Sequence, residues 1–185
     1  QTSQSLDFHI VCKDFINYLP LKNSNILDLG SGAGQNSAAL AKMGFKVTAI
    51  EPMLEFLNAA INTYKSTSIE WFNDSLPNIS CLNSQESKFD FVLIDAVWHH
   101  LTEEEQKIAA NRISTVIKKN GKCAISLRNG PPGMGTRVFP TDSNSTISLF
   151  EGYGFKCIFN ICNQASVLPH KEHVKWARVV LEKVT

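Results

Sequence analysis

Apolar positions along the chain recur in two alternating periods. Phe8, Val11, Cys12, Phe15, Ile16 and Leu19 stand at helical spacing, which predicts a helix within residues 1–20 that stops near Pro20. The run NILDL then predicts a short buried strand, followed by a glycine turn and a helix carrying Ala39, Leu40 and Met43 that ends at Gly44. KVTAI repeats the strand pattern. EPMLEFLNAAINTYK repeats the helix, with Pro52 in its first turn and Met53, Leu57, Ala60, Ile61 and Tyr64 along one face. IEWF, FDFVLI and KCAISL predict three more strands. Between the last two, Thr102 and Glu105 have capping-box spacing and open a helix with the apolar face Ala109, Ile113, Val116 and Ile117, which Asn120 and Gly121 should stop.

The last third breaks this rhythm. After a short helix over residues 145–151, GFKCIFNIC and HVKWARVVLEK both have strand character and are separated only by NQASVLPHKE, too short for a helical crossover. They should pair as an antiparallel hairpin. The predicted fold is α/β: a doubly wound, seven-stranded, mostly parallel sheet with helices on both faces and a C-terminal antiparallel hairpin strand.

Composition narrows the function classes. The 185 residues fit one domain, residues 1–185, with the first twenty as an N-terminal helix able to serve as a lid. Eighteen basic and seventeen acidic residues nearly cancel and are scattered, so no basic stripe marks the chain for nucleic acid or for an anionic membrane surface. No apolar run approaches membrane-spanning length. The opening QTSQSLDFHI has neither the basic start nor the apolar core of a signal peptide, and the missing initiator Met leaves the true N-terminus open. Five cysteines, an odd number, four of them within apolar segments, fit a reducing cytoplasm. His170 and His173 lack a cysteine pair at matching spacing, so no metal is expected.

The candidate chemistry lies in ILDLGSGAGQNS, residues 26–37. Gly30, Gly32 and Gly34 at alternate positions behind a buried strand mark a backbone that turns sharply or lets a ligand approach. In open parallel sheets, ligands sit at the carboxyl edge of the strands, beside such a turn and a helix N-terminus. Glu51, at the end of the second strand, stands about twenty residues past the first glycine, where an acid can take ribose hydroxyls. The dinucleotide fingerprint G-x-G-x-x-G fails by one place, because Gln35 follows Gly34.

Acid-x-G-x-G-x-G, here with Asp28 as the acid, resembles the first motif of class I S-adenosylmethionine-dependent methyltransferases. The resemblance continues through VTAIEP, FNDSLP and FDFVLIDAVWHHL. It implies S-adenosylmethionine as cofactor and S-adenosylhomocysteine as product. Asp28, Gly30, Ser31, Gly32 and Gly34 would form the first part of the cofactor site, Glu51 would hold the ribose, and Pro52 and Met53 would flank adenine. Asp74 would reach the adenine amino group with Ser75 and Leu76 beside the ring, and Asp95 and Ala96 would border the methionine moiety. The family's last strand also inserts antiparallel before the penultimate one.

Simpler roles compete at several of these positions. Asp28 can cap local amides, Asp74 can organise a turn, and Trp98 can be core rather than a substrate wall. His99 and His100 are candidate bases. Asp95-Ala96-Val97-Trp98 departs from the Asn/Asp-Pro-Pro-aromatic tetrapeptide that family members acting on bases or glutamine carry, which speaks against nucleic-acid substrates. The loop RNGPPGMGTRVFP after the fifth strand offers Arg128 and Arg137 to a small, anionic acceptor. Two other readings stay open: a nicotinamide-dependent oxidoreductase on the same sheet, and a protein that binds S-adenosylmethionine without turnover.

Overall fold

The computed structural model describes residues 7–131, 137–167 and 171–185. Seven strands form one sheet: β1 (Asn25–Leu29), β2 (Lys46–Ile50), β3 (Glu70–Phe72), β4 (Phe89–Ile94), β5 (Ile117–Asn129), β6 (Phe155–Ala165) and β7 (Lys175–Lys183). Their order is β3-β2-β1-β4-β5-β7-β6. The first five run parallel, and β7 lies antiparallel between β5 and β6. The chain therefore winds outward from β1 in one direction to β3 and restarts at β4 in the other. The carboxyl ends of β1 and β4 face each other across that switch point, where such sheets open a crevice.

Among the described residues, five α-helices cover the sheet: α1 (Phe8–Val11), α2 (Gln35–Lys42), α3 (Leu54–Thr63), α4 (Glu103–Val116) and α5 (Ser143–Glu151). One face packs Leu27, Val92 and Ile125 against Ala109 and Ile113 of α4 and Phe150 of α5. The other packs Ile26, Phe91, Leu93 and Val180 against Phe8, Phe15 and Leu40. Both faces of β1, β4 and the 123–127 stretch of β5 are buried, as their mainly apolar runs require.

Four local expectations are corrected. The N-terminal helix is a single turn: Asp7 caps it, Cys12 leaves helical angles, and Lys13–Tyr18 continues as a 3₁₀ turn. A three-residue repeat aligns Cys12, Phe15 and Tyr18, and it buries the first two completely. Helix α4 stops at Val116 rather than at Asn120, because Ile117 already pairs with Phe89 and the next residues form a bulge before Lys122 meets Phe91. Pro52 lies ahead of α3, with Met53 at its cap. Met53 and Ile61, expected on the inner face of α3, are exposed. The proposed lid falls partly on residues 1–6, outside the described residues.

Candidate active site

The glycine turn is built from three positive φ angles, 74° at Gly30, 56° at Gly32 and 87° at Gly34. An L side chain rarely adopts them. The three glycines differ in what surrounds them. A methyl group added to Gly30 would run into the side chain of Val97, and one at Gly34 would stand 2.6 Å from the Trp71 ring. A methyl added to Gly32 would meet nothing within 4 Å. Two of the glycines therefore permit packing within the protein, whereas Gly32 turns its bare side to open space.

Glu51 fastens this turn to the end of β2. The backbone amides of Gly30 and Ser31 donate to the Ile50 carbonyl at 2.8 and 3.0 Å. The Gly32 amide donates to Glu51 Oε2 at 2.8 Å, and the Met53 amide to Oε1 at 2.9 Å. Asn73 donates to the Glu51 and Pro52 carbonyls, both at 2.9 Å, and so fixes the strand end from the β3 side.

Two further acids line the switch point. Asp28 Oδ2 accepts from Ser37 Oγ at 2.5 Å, and burial pushes its carboxyl up to about 7 against that bond, with Asp95 and Glu51 adding repulsion. Asp95 accepts from Ser126 Oγ at 2.6 Å and from Asn36 Nδ2 at 3.2 Å. Burial raises its carboxyl too, opposed by those two donors and by the charge of Arg178. Ser126 Oγ in turn accepts from the Ala96 amide at 2.8 Å, so Ala96 is held at φ 60° beside the acid.

The glycine turn, Asn36, Asp95 and Ala96 border a cavity of about 250 Å³, whereas Asp28, Gly34 and Glu51 are not among its lining residues. Residues 30–33 of the glycine turn, Gln35 and Asn36 of α2, and Asp95 and Ala96 after β4 form one side. Val11, Phe56, Trp176 and Arg178 lie among the residues of the remaining wall. Sequence reasoning missed Phe56, Trp176 and Arg178. Arg178 had a readable signal, because an arginine inside the apolar run WARVVL needs either a partner or a task.

Several expected site residues lie elsewhere or have other work. Asp74 accepts from the Ser75 and Cys81 amides, both at 2.7 Å. Burial opposes its ionisation, and the backbone donors outweigh burial, leaving the carboxyl below its ordinary value. Pro52, Met53, Ser75 and Leu76 are not among the residues lining the cavity. Trp98 is fully buried and packs on Phe150 at 5.5 Å between ring centres, in the core of the opposite face. His99 is buried, and desolvation lowers its imidazole to about 3, with the charges of His100 and Arg128 acting the same way. His100 Nδ1 lies 2.6 Å from the Arg137 carbonyl, to which it donates. Arg128 donates to the Gly130 and Pro131 carbonyls, and Arg137 to the His100 carbonyl and to Glu105 Oε2 at 2.8 Å. Neither arginine is among the lining residues.

A doubly wound sheet with an antiparallel penultimate strand, a glycine turn after β1 and an acid after β2 defines a cofactor-binding α/β domain. The model of the family described as "Methyltransferase domain" matches residues 26–121, and the chain belongs to that family. It is 29% identical over 118 residues to an uncharacterized methyltransferase of Mycobacterium tuberculosis, covering 60% of this chain and 57% of the relative. The chain spans about half the length of the curated relatives it matches, 48% and 57% for two of them. Among solved structures it is similar to a SAM-dependent methyltransferase of Methanosarcina mazei, with TM-score 0.77, 16% identity and coverage of 97% and 99% of the two chains. It is also similar to the 1,6-didemethyltoxoflavin-N1-methyltransferase of Burkholderia thailandensis with bound 1,6-didemethyltoxoflavin and S-adenosylhomocysteine. That match has TM-score 0.71, 16% identity and coverage of 89% and 72%.

Proposed function

We propose that this chain is an S-adenosylmethionine-dependent methyltransferase acting on a small-molecule acceptor. The observation that carries the reading is the opposite use of the two sides of Gly32: its amide is tied to Glu51, and its bare Cα faces the cavity. Such a turn admits a ligand to the backbone while holding an acid next to it. S-adenosylmethionine supplies a methyl group already activated on a sulfonium, so the protein's own work is to bind, orient and exclude water.

The residues present fit that cofactor. Gly30, Ser31, Gly32 and Gly34 shape the turn with Asp28 beneath it. Glu51 spends one acceptor position of each oxygen on the Gly32 and Met53 amides, and an ionised carboxylate offers roughly four, which leaves room for ribose hydroxyls. Pro52, Met53, Asp74, Ser75 and Leu76 lie outside the cavity lining, and their place on the adenine side of this proposal rests on the family's motif order alone. Asp95 and Ala96, fixed by Ser126, border the methionine end, where the negative field of Asp95 suits a cation. Neither histidine is assigned a proton transfer: His99 holds a proton too weakly, and His100 is committed to the Arg137 carbonyl.

The small-molecule acceptor draws support from the departure at residues 95–98 and from the bound small molecule in the Burkholderia neighbour. No described helix is long and apolar enough to cross a membrane. The cytoplasm is the compartment we propose, because the five cysteines are free thiols. Calorimetry with S-adenosylmethionine, S-adenosylhomocysteine and NAD side by side tests the reading: the two sulfur ligands should bind and NAD should not. Tighter binding of NAD would return the chain to the oxidoreductase alternative.

A further inference from the structure

Methyl transfer as derived above gives Arg178 no task beyond the attraction its charge exerts on Asp95. It is 5% exposed on β7, and Val179, Val180 and Leu181 after it are fully buried. Its Nε has no hydrogen-bond partner, and Asp14 Oδ2, likewise without one, stands 3.6 Å away, beyond hydrogen-bond length. The other described contact of the guanidinium is a long bond of 3.4 Å from Nη2 to the Val11 carbonyl. A buried guanidinium has five donors arranged in a planar fork, and unspent donors in a dry wall are strongly disfavoured unless an anion meets them.

Position says which anion. Arg178 pairs across with Ser126 on β5, and β5 lies beside β4, so Arg178 stands three strands from β1. At ~4.8 Å per strand the backbone of Arg178 stands roughly 14 Å from that of the glycine turn, with Asp95 at the end of the intervening β4. Besides Phe56, the rest of the cavity wall is Val11, Val167 and Trp176, apolar and aromatic, with Ser166 as its polar member. A fork next to such a wall complements a small apolar molecule that ends in an oxyanion.

We propose that Arg178 binds the methyl acceptor, and that the acceptor carries a carboxylate or phosphate with its apolar body against Trp176 and Val11. The inference rests on the methyltransferase reading of the same cavity. Asp14 is the resident counter-charge that the acceptor's oxyanion displaces.

The test is a calorimetric titration of 3-phenylpropionate, benzoate and phenyl phosphate, each beside its neutral amide or alcohol. It is run on wild type, Arg178→Lys and Asp14→Asn, with and without S-adenosylhomocysteine. At least one oxyanion should bind wild type about tenfold more tightly than its neutral partner. Arg178→Lys should lose about that factor on the oxyanion alone, keeping S-adenosylhomocysteine affinity within about twofold, because a lysine cannot reproduce the fork. Asp14→Asn should bind the oxyanion more tightly, a gain that a purely structural Arg178 would not show. If Arg178→Lys fails to fold, the Asp14→Asn comparison decides. Equal binding of anionic and neutral partners, or no oxyanion binding at all, overturns the proposal. So does a loss in Arg178→Lys confined to S-adenosylhomocysteine, which would assign Arg178 to the cofactor's own carboxylate. Failure of wild type to bind S-adenosylhomocysteine overturns the methyltransferase reading instead, while the titrations without it still decide Arg178.

Discussion

Alanine at Gly32 and alanine at Gly30 should have different consequences, although both sit at positive φ. Gly32→Ala adds a methyl to open space, so its stability cost is the left-handed backbone alone, about 1–2 kcal/mol, while the methyl enters the cavity and weakens cofactor binding. Gly30→Ala adds a collision with Val97 to the same backbone cost and should unfold at a clearly lower temperature. Thermal melts with and without S-adenosylhomocysteine check both. A cofactor-induced rise in Tm undiminished in Gly32→Ala would place the ligand elsewhere. Asp28 gives a pH prediction. Its carboxyl titrates near 7 when folded and near 3.8 when unfolded, so between those values the folded state holds the extra proton and stability falls as pH rises. Asp28→Asn keeps a hydrogen-bonding oxygen for Ser37 without the charge. Its stability advantage over wild type, read from melts or denaturant titrations, should grow from pH 4.5 to about 7 and then level off, up to about 4 kcal/mol in all. A constant difference across that range would show that Asp28 titrates normally.

Two elements carry the region after β4. The capping box of α4 is complete: Thr102 Oγ1 accepts from the Glu105 amide at 3.2 Å, and Glu105 Oε2 accepts from the Thr102 amide at 2.7 Å. The same Glu105 oxygen accepts from Arg137, so one carboxylate joins the start of α4 to the segment that follows β5. Thr102→Ala should cost about 1 kcal/mol and lower Tm without changing ligand affinity. Arg128→Ala should behave alike, since its guanidinium bonds the Gly130 and Pro131 carbonyls. Acceptor turnover compared in Arg128→Ala and wild type checks this, and a selective rise in KM for anionic acceptors would restore Arg128 to the substrate.

The last strand is central in the whole molecule. β7 pairs with β5 along eight residues and with β6 on its other edge, and Val179, Val180 and Leu181 are fully buried. Deleting residues 175–185 should therefore abolish the cooperative unfolding transition, which circular dichroism during heating reads directly. A truncated chain that still melts in one sharp step would show that the sheet closes without β7. Backbone exchange should follow the same order, slowest in β4, β5 and β7 and faster along the outer edge of β6, where Phe155 alone is buried.

The strand periods, the helices from α2 on, the capping box of α4 and the closing hairpin were legible in the sequence, because each depends on spacing within a few residues, whereas the N-terminal apolar spacing was not, since it is served by one α-turn and a 3₁₀ turn. The glycine turn and Glu51 were legible for the same reason: a strand, a turn and an acid at fixed separation meet wherever two parallel strands are neighbours. The sequence by itself thus determined the fold class and one side of the cavity. It did not determine where α4 ends, since strand pairing of Ile117 with Phe89 overrides a local stop signal. Nor did it distinguish arginines. Arg128 and Arg137 sit in a glycine-rich loop and satisfy themselves on nearby carbonyls, whereas Arg178 reaches the cavity only because β7 inserts beside β5 and Asp14 arrives from a segment 164 positions earlier in the chain. Contacts of that range exist only after the chain has folded, so the apolar run around Arg178 flagged it as needing a partner, and the tertiary structure decided that it faces the cavity.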